Sequence, residues 1–203
     1  MNIILFEEEM TFLPKKDERA KHILKVLRLK TGDSFRAGLI NGPALTCTIT
    51  GMTDEGIAFT YEKGEDLSAL HPLTLLLAEV RPICMKRILR EVVSLGIGRL
   101  MLVISDLGEK SYQESSLYTT DEWKEIMKDG AMQAGFTGIP ETTFYKSVDE
   151  AVKDLREDDL LLLDNVIGAG KLSEAELGGS AVMAVGPVRG WSARSVKAGK
   201  IIR

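Results

Sequence analysis

The run Val182-Met183-Ala184-Val185-Gly186-Pro187-Val188-Arg189-Gly190-Trp191-Ser192 leaves a chain few options. Four apolar residues in succession have the composition of a buried strand. Gly186-Pro187 must end it, because proline removes a ladder donor and fixes φ. Gly190 lets the next turn approach something closely, and Ser192 suits the start of a helix. A buried strand that stops in a glycine-rich turn before a helix is where open α/β sheets bind ligands, since unpaired backbone N–H groups converge there. The same residues also serve an ordinary strand-end turn.

The stretches before it fit such a sheet. Residues 73–79 form an apolar strand. Pro82 suits the first turn of a helix with Met85, Ile88, Leu89 and Val92 on one face, ending near Gly96. Residues 100–104 and 160–163 read as strands, and 121–133 and 148–155 as helices. Strands alternating with helices predict a mostly parallel sheet covered on both faces.

The front of the chain differs. Asp17 is placed to cap a helix in which Ala20, Ile23, Leu24 and Leu27 share the buried face. Lys21, Lys25 and Arg28 then share the other. Residues 34–40, 44–52 and 56–62 are short strands, with turns at Asn41-Gly42 and Asp54-Glu55-Gly56. This predicts a small β-barrel over residues 1–70. Glu65-Asp66-Leu67-Ser68-Ala69-Leu70-His71-Pro72 reads as the connection to an α/β domain over 71–203, with His71 a linker residue.

The 203 residues carry a net charge of −4, which alone argues against nucleic acid. Its distribution argues otherwise. Residues 15–36 hold eight basic and three acidic side chains, and residues 81–99 hold five and one. That segregation can build a basic face for phosphates on an acidic protein, although two solvated helix faces would read the same way. No apolar run reaches the ~18 residues that a membrane span needs. The first nine residues lack the basic flank and cleavage site of a signal peptide, and Cys47 and Cys84 show no paired spacing. A cytoplasmic protein with reduced cysteines is expected.

Two tempting motifs fail. Gly168-Ala169-Gly170-Lys171 has Asn165 and Leu172 where a phosphate-binding P-loop needs glycine and Ser or Thr. It also has Ser173 where a dinucleotide fingerprint needs its third glycine. His22 and His71, the only histidines, have no spacing that suggests a metal site or a catalytic triad.

Four segments, in order, resemble one family. They are the stretch from Arg19-Ala20-Lys21-His22 to Thr31-Gly32-Asp33; Lys86-Arg87-Ile88-Leu89-Arg90 through Leu95-Gly96-Ile97; Asp129-Gly130-Ala131-Met132-Gln133-Ala134 with Ile139-Pro140; and Gly186-Pro187-Val188-Arg189-Gly190-Trp191-Ser192. Together they are similar to the 16S ribosomal RNA uridine-N3 methyltransferases of the SPOUT superfamily. The resemblance implies a PUA-like β-barrel that grips RNA, then an α/β domain ending in a trefoil knot that binds S-adenosylmethionine. It implies a homodimer acting on 16S ribosomal RNA or the small ribosomal subunit, with no membrane and no metal.

Carried over by position, the resemblance implies Gly186, Pro187, Arg189 and Gly190 as the cofactor loop, with Leu162 and Asp164 lining the adenosine pocket. It implies Arg19, Lys21, His22, Lys25, Arg28 and Lys30 as RNA contacts, with Lys86 and Arg90 second. Uridine N3 carries a proton and is weakly nucleophilic, so an arginine near O2 or O4 would help electrostatically. Arg203, in a segment similar to the family's closing arginine, is the catalytic candidate. The chain departs from the pattern at Val188, where the family has glutamate, and in how soon after Ser192 that closing segment arrives. Those departures leave a second reading: an inactive RNA-binding relative without a finished cofactor pocket.

Overall fold

The structure, a computed structural model, describes residues 2–155, 159–163, 170–176, 178–187, 189–192 and 200–202, with 159 and 200–202 as backbone. The chain divides into two units, Met1–Ala69 with Lys128–Ile139, and Leu70–Met127 with Pro140–Arg203.

The first unit is built on strands β1 (Ile4–Phe6), β2 (Phe12–Pro14), β3 (Ser34–Leu39), β4 (Pro43–Met52) and β5 (Gly56–Asp66), in spatial order β1-β3-β4-β5-β2. β1 runs parallel to β3, and the other pairs are antiparallel. Alternate residues Leu45, Cys47 and Ile49 of β4, with Phe35, Ala37, Ile57 and Phe59 beside them, point into one core. The Phe6 ring stacks on Phe59 with centroids 5.7 Å apart. In a flat sheet β1 and β5 would be about 14 Å apart, three strand spacings, so the sheet curls over its own face. Bulges between Pro43 and Leu45 and between Ile49 and Gly51 bend the long strands.

The Asn41-Gly42 turn forms as the sequence predicts, with Asn41 left-handed at φ 57°. Its partner was not predicted. Asn41 N–H donates to Thr137 O at 2.8 Å, its side-chain oxygen accepts from Ile139 N–H at 2.8 Å, and the Thr137 hydroxyl donates to Gly42 O at 2.6 Å. Residues 136–139 thus satisfy a hairpin that lies almost a hundred positions away in the chain.

Asp17 caps α1 (Glu18–Lys21), its carboxylate accepting from Arg19 N–H at 2.8 Å. The helix then widens into a π-helical turn, His22–Leu27, and ends at left-handed Arg28. The expected buried face holds at Ala20 and Ile23 but not at Leu27, which is 41% exposed beside Val26 at 65%. The wider π turn, with its i→i+5 bonds, rotates later residues off a face computed for 3.6 per turn.

The Arg19 guanidinium beside Asp17 holds its carboxyl below the usual aspartate range. A depressed carboxylate stabilises the fold at pH above its unfolded value, and this is lost as pH falls through the folded value. Asp17→Ala is expected to cost about 1 kcal/mol at pH 7, the usual cap contribution. It should also flatten the acid limb of stability against pH in denaturant titrations.

The second unit carries a six-stranded sheet among its described residues: β6 (His71–Ala78), β7 (Ile97–Val103), β8 (Glu141–Tyr145), β9 (Asp159–Leu163), β10 (Ala181–Val185) and β11 (Lys200–Ile202), in the order β11-β9-β10-β6-β7-β8. Every pairing is parallel, as the alternating pattern predicts. α2 (Pro82–Ser94) has Pro82 in its first turn and buries Met85, Leu89, Val92 and Val93. Short α3 (Ser116–Thr119) and α5 (Val148–Lys153) also belong to this unit, and α4 (Glu122–Ala134) begins in it, its residues from Lys128 onward belonging to the first unit.

His71 is no linker residue. It opens β6, its N–H donating to Gly96 O at 2.7 Å, because the strand begins before its apolar run does. The connection is correspondingly shorter, since Asp66 still pairs within β5. β8 was not predicted, as its exposed Phe144 and threonines mask an edge strand. No helix among the described residues is long and apolar enough to cross a membrane.

Candidate functional site

The chain leaves β6 in one direction, through β7 to β8, and returns on the other side through β9 to β10. Strand order therefore reverses between β6 and β10. In open parallel sheets the crevice beyond the strand ends at such a point is unblocked by crossovers and takes ligands. A cavity of about 590 Å³ lies at those ends, lined by Glu79, Val80 and Arg81 after β6, Leu107, Gly108, Glu109 and Tyr112 after β7, Pro187 and Arg189 after β10, and Cys84 of α2.

The turn after β10 is built from its glycines. Gly190 N–H donates to Pro187 O at 2.8 Å, and Gly190 sits at φ 75°, a conformation that disfavours side chains. The Trp191 indole folds back under Gly186, so that a Cβ there would meet it at 3.0 Å. Its ring N–H donates to Leu163 O at 3.2 Å, at the end of β9, and the ring joins the sheet core. The tryptophan thus backs the bend from the core side while Pro187 and Arg189 face the cavity.

Across the cavity, β6 continues its ladder one residue further, Glu79 N–H donating to Val103 O at 2.9 Å. This carries the Glu79 side chain inside, where it is 3% exposed. Gln113, from the 3-10 turn Lys110–Glu114, donates to Glu79 Oε1 at 2.5 Å, while Oε2 has no hydrogen-bond partner. Burial raises the Glu79 carboxyl above the usual range, opposed by the Gln113 bond. The Tyr118 hydroxyl, also buried without a partner, is pushed up by burial and then by the Glu79 charge. Arg81 occupies the N-cap position of α2 without a side-chain cap bond and is exposed.

Of the expected cofactor residues, Pro187 and Arg189 line the cavity, and Gly186 and Gly190 frame the bend. Leu162 does not reach it. Paired with Ala184 in register, it is 2% exposed and packs in the sheet core with Leu76 and Val182. Asp164, Val188 and Arg203 lie outside the described residues, as does any helix after Ser192. Sequence reasoning missed Glu79 and Arg81. The signal for Glu79 was a lone carboxylate closing an apolar strand.

In the first unit, Lys25, Arg28 and Lys30 are exposed and form no ion pair among the described residues. Arg19 donates to Asp17 and to Leu5 O at 3.0 Å and lies over the Phe6 ring. Lys21 pairs with Glu18 at 2.5 Å. His22 lines a smaller hollow of about 240 Å³ with Leu27, Leu29 and Arg36, and burial lowers its pKa. In the second unit Lys86 pairs with Glu122 at 2.6 Å, and Arg90 is exposed. No group of three or more His, Cys, Asp or Glu among the described residues is arranged to hold a metal.

Two family models match the chain. Residues 16–60 match the RNA methyltransferase PUA domain and residues 68–200 the RNA methyltransferase domain. The chain is 37% identical to ribosomal RNA small subunit methyltransferase E of Treponema pallidum, over 95% of its own length and 77% of that protein's. It is 30% identical to ribosomal RNA small subunit methyltransferase E 1 of Borreliella burgdorferi, over 95% and 82%. Its fold is that of ribosomal RNA small subunit methyltransferase E from Neisseria gonorrhoeae, whose crystal structure is bound to S-adenosyl methionine: TM-score 0.81 at 22% identity, covering 100% of this chain and 88% of the other. With a strand-reversal crevice, a glycine-framed loop beside it and relatives matching along nearly all of its length, the chain belongs to the RNA methyltransferase family.

Proposed function

We propose that this protein transfers a methyl group from S-adenosylmethionine to N3 of a uridine in 16S ribosomal RNA, in the cytoplasm, as a homodimer whose C-terminal segments form a trefoil knot. In this reading residues 1–70 grip RNA and residues 71–203 carry out transfer. The observation that carries it is the cavity at the ends of β6 and β10, with Pro187 and Arg189 on its wall. Its volume suits a nucleoside-sized ligand, since such pockets run roughly 300–1,000 Å³. Apolar Val80, Leu107 and Pro187 beside charged Arg81, Glu109 and Arg189 match a molecule with both apolar and charged parts.

The loop from Gly186 to Gly190 would hold the cofactor, with Asp164 and the backbone end of β9 at Leu162 beside it. Bound there, the cofactor supplies a sulfonium methyl that needs little help beyond a well-placed acceptor. Arg81 and Arg189 would stabilise negative charge growing on the uracil oxygens, and Arg203 is proposed for the same task. The base must leave its stack to enter a crevice of this kind. Lys25, Arg28 and Lys30 are proposed as the principal phosphate contacts, with Lys21 and His22 joining them in the first unit and Lys86 and Arg90 serving as secondary contacts from the second. Arg19, already bonded within the fold, would position that helix.

Calorimetric titration with S-adenosylmethionine tests the pocket, and a ligand at ~100 times its Kd should add about 2.7 kcal/mol of stability. Mass spectrometry of 16S ribosomal RNA from a deletion strain should show one uridine without its N3 methyl. Neither heat nor thermal shift at millimolar ligand would leave the inactive RNA-binding reading.

A further inference from the structure

The Glu79 carboxyl has one oxygen accounted for and one not. Oε1 accepts from Gln113, whereas Oε2 is buried, unpartnered and part of a residue on the cavity wall. Leaving a buried carboxylate oxygen unpaired is costly, so one that borders a cavity calls for a physical explanation, and a catalytic role is among those native structures use. We propose that Glu79 Oε2 takes the N3 proton of the target uridine, acting as the general base of the reaction.

This rests on reading the crevice as the methyl-transfer site. The chemistry of the wall fits a uracil edge. That edge presents O2 and O4 as acceptors on either side of the N3–H donor. The cavity offers one buried carboxylate, with the guanidiniums of Arg81 and Arg189 as donors. Cytosine N3 carries a lone pair instead of a hydrogen and would face the carboxylate unfavourably. The N3–H bond breaks with its electron pair staying on N3, and the proton passes to Oε2. That pair then forms the bond to the methyl carbon, as the methyl–sulfur bond breaks with its electrons going to sulfur. The two events are sequential, because proton and methyl occupy the same in-plane position on N3. Glu79 finally releases its proton to water.

An ordinary glutamate is a weak base for an imide, and burial corrects this in the needed direction by raising its proton affinity. The titratable and charged groups around Glu79 are Tyr118 from α3, whose hydroxyl its charge pushes up, and Arg81, Cys84, Glu109, Tyr112 and Arg189 on the wall of the same cavity. The test is single-turnover methylation of small ribosomal subunits from a deletion strain across a pH series, using wild type, Glu79→Gln and Glu79→Asp. It is joined by S-adenosylmethionine calorimetry and by carboxyl 13C NMR titration of Glu79 in the RNA-free protein. Glu79→Gln should slow methylation by about 10²–10⁴-fold with little change in cofactor affinity, the range for a lost general base. Glu79→Asp should recover part of the rate, and the Glu79 carbon should titrate at the midpoint of the acid limb of the wild-type rate. A Glu79→Gln enzyme with the wild-type rate and pH profile overturns the proposal. If that variant does not fold, a Glu79 midpoint well away from the acid limb overturns it instead. A wild-type protein that binds no cofactor and methylates nothing overturns the methyl-transfer reading itself.

Discussion

Replacing Trp191 by alanine is expected to cost about 3–5 kcal/mol of stability, the range for emptying a buried aromatic site. The ring is 8% exposed and packs in the core of the parallel sheet with residues of β6, β9 and β10. It also donates to Leu163 O, so its removal leaves a strand-end carbonyl without that donor. The second effect is on the ligand. With nothing under Gly186, the bend loses the surface that holds it against the core, and Pro187 and Arg189 lose their fixed place on the cavity wall. Affinity for S-adenosylmethionine should fall by at least about tenfold, the equivalent of roughly 1.4 kcal/mol of lost preorganisation. Trp191→Phe separates the two contributions. It keeps most of the apolar bulk and removes the N–H with two ring carbons, so it should cost about 1–2 kcal/mol. Urea denaturation and calorimetry on both variants check this, and wild-type cofactor affinity in Trp191→Ala would show that the bend stands without its backing.

The triple variant Lys25→Ala, Arg28→Ala, Lys30→Ala should weaken binding to 16S ribosomal RNA without unfolding the protein. All three side chains are exposed, and none forms an ion pair among the described residues, so the fold loses little. Each phosphate contact contributes about 0.7–0.9 to the slope of log affinity against log salt, so three contacts contribute roughly 2–3. At ~0.1 M salt this corresponds to a loss of about 10²–10³-fold, shrinking towards nothing near 1 M. Filter binding across a salt series reads the slope directly. An unchanged slope would remove these residues from the RNA interface, whatever happened to affinity. Arg19 makes a useful contrast. Its guanidinium is bonded to Asp17 and Leu5, so Arg19→Ala should lower stability as well as binding.

Much of the site's frame is legible in the sequence alone. Gly186-Pro187 ends a buried strand whatever surrounds it, because proline lacks the N–H that the ladder needs. Pro82 starts a helix for a related reason, and Asp17 caps one. The alternation of strands and helices was sufficient for a parallel sheet, since no other arrangement buries such strands on both faces. The departures occur where a partner distant in sequence overrides a local pattern. Leu27 follows helical spacing, but the helix there winds as a π turn. Leu162 sits at the end of the strand before the loop, yet its register with Ala184 points it into the core. No element is assigned to residues 136–139 from the sequence, and three hydrogen bonds to a distant hairpin tie them to the first unit.

The chain's own sequence determined where strands end, where helices begin and which turns need glycine, because φ restrictions, missing donors and side-chain periodicity act over a few residues. Only the tertiary structure decided that strand order reverses between β6 and β10, that Glu79 is drawn inside with one oxygen unpaired, and that Trp191 lies beneath the bend. These depend on which strand lies beside which and on what remains within reach of water. Both are set by packing the whole sheet at once, so no single stretch of residues carries them.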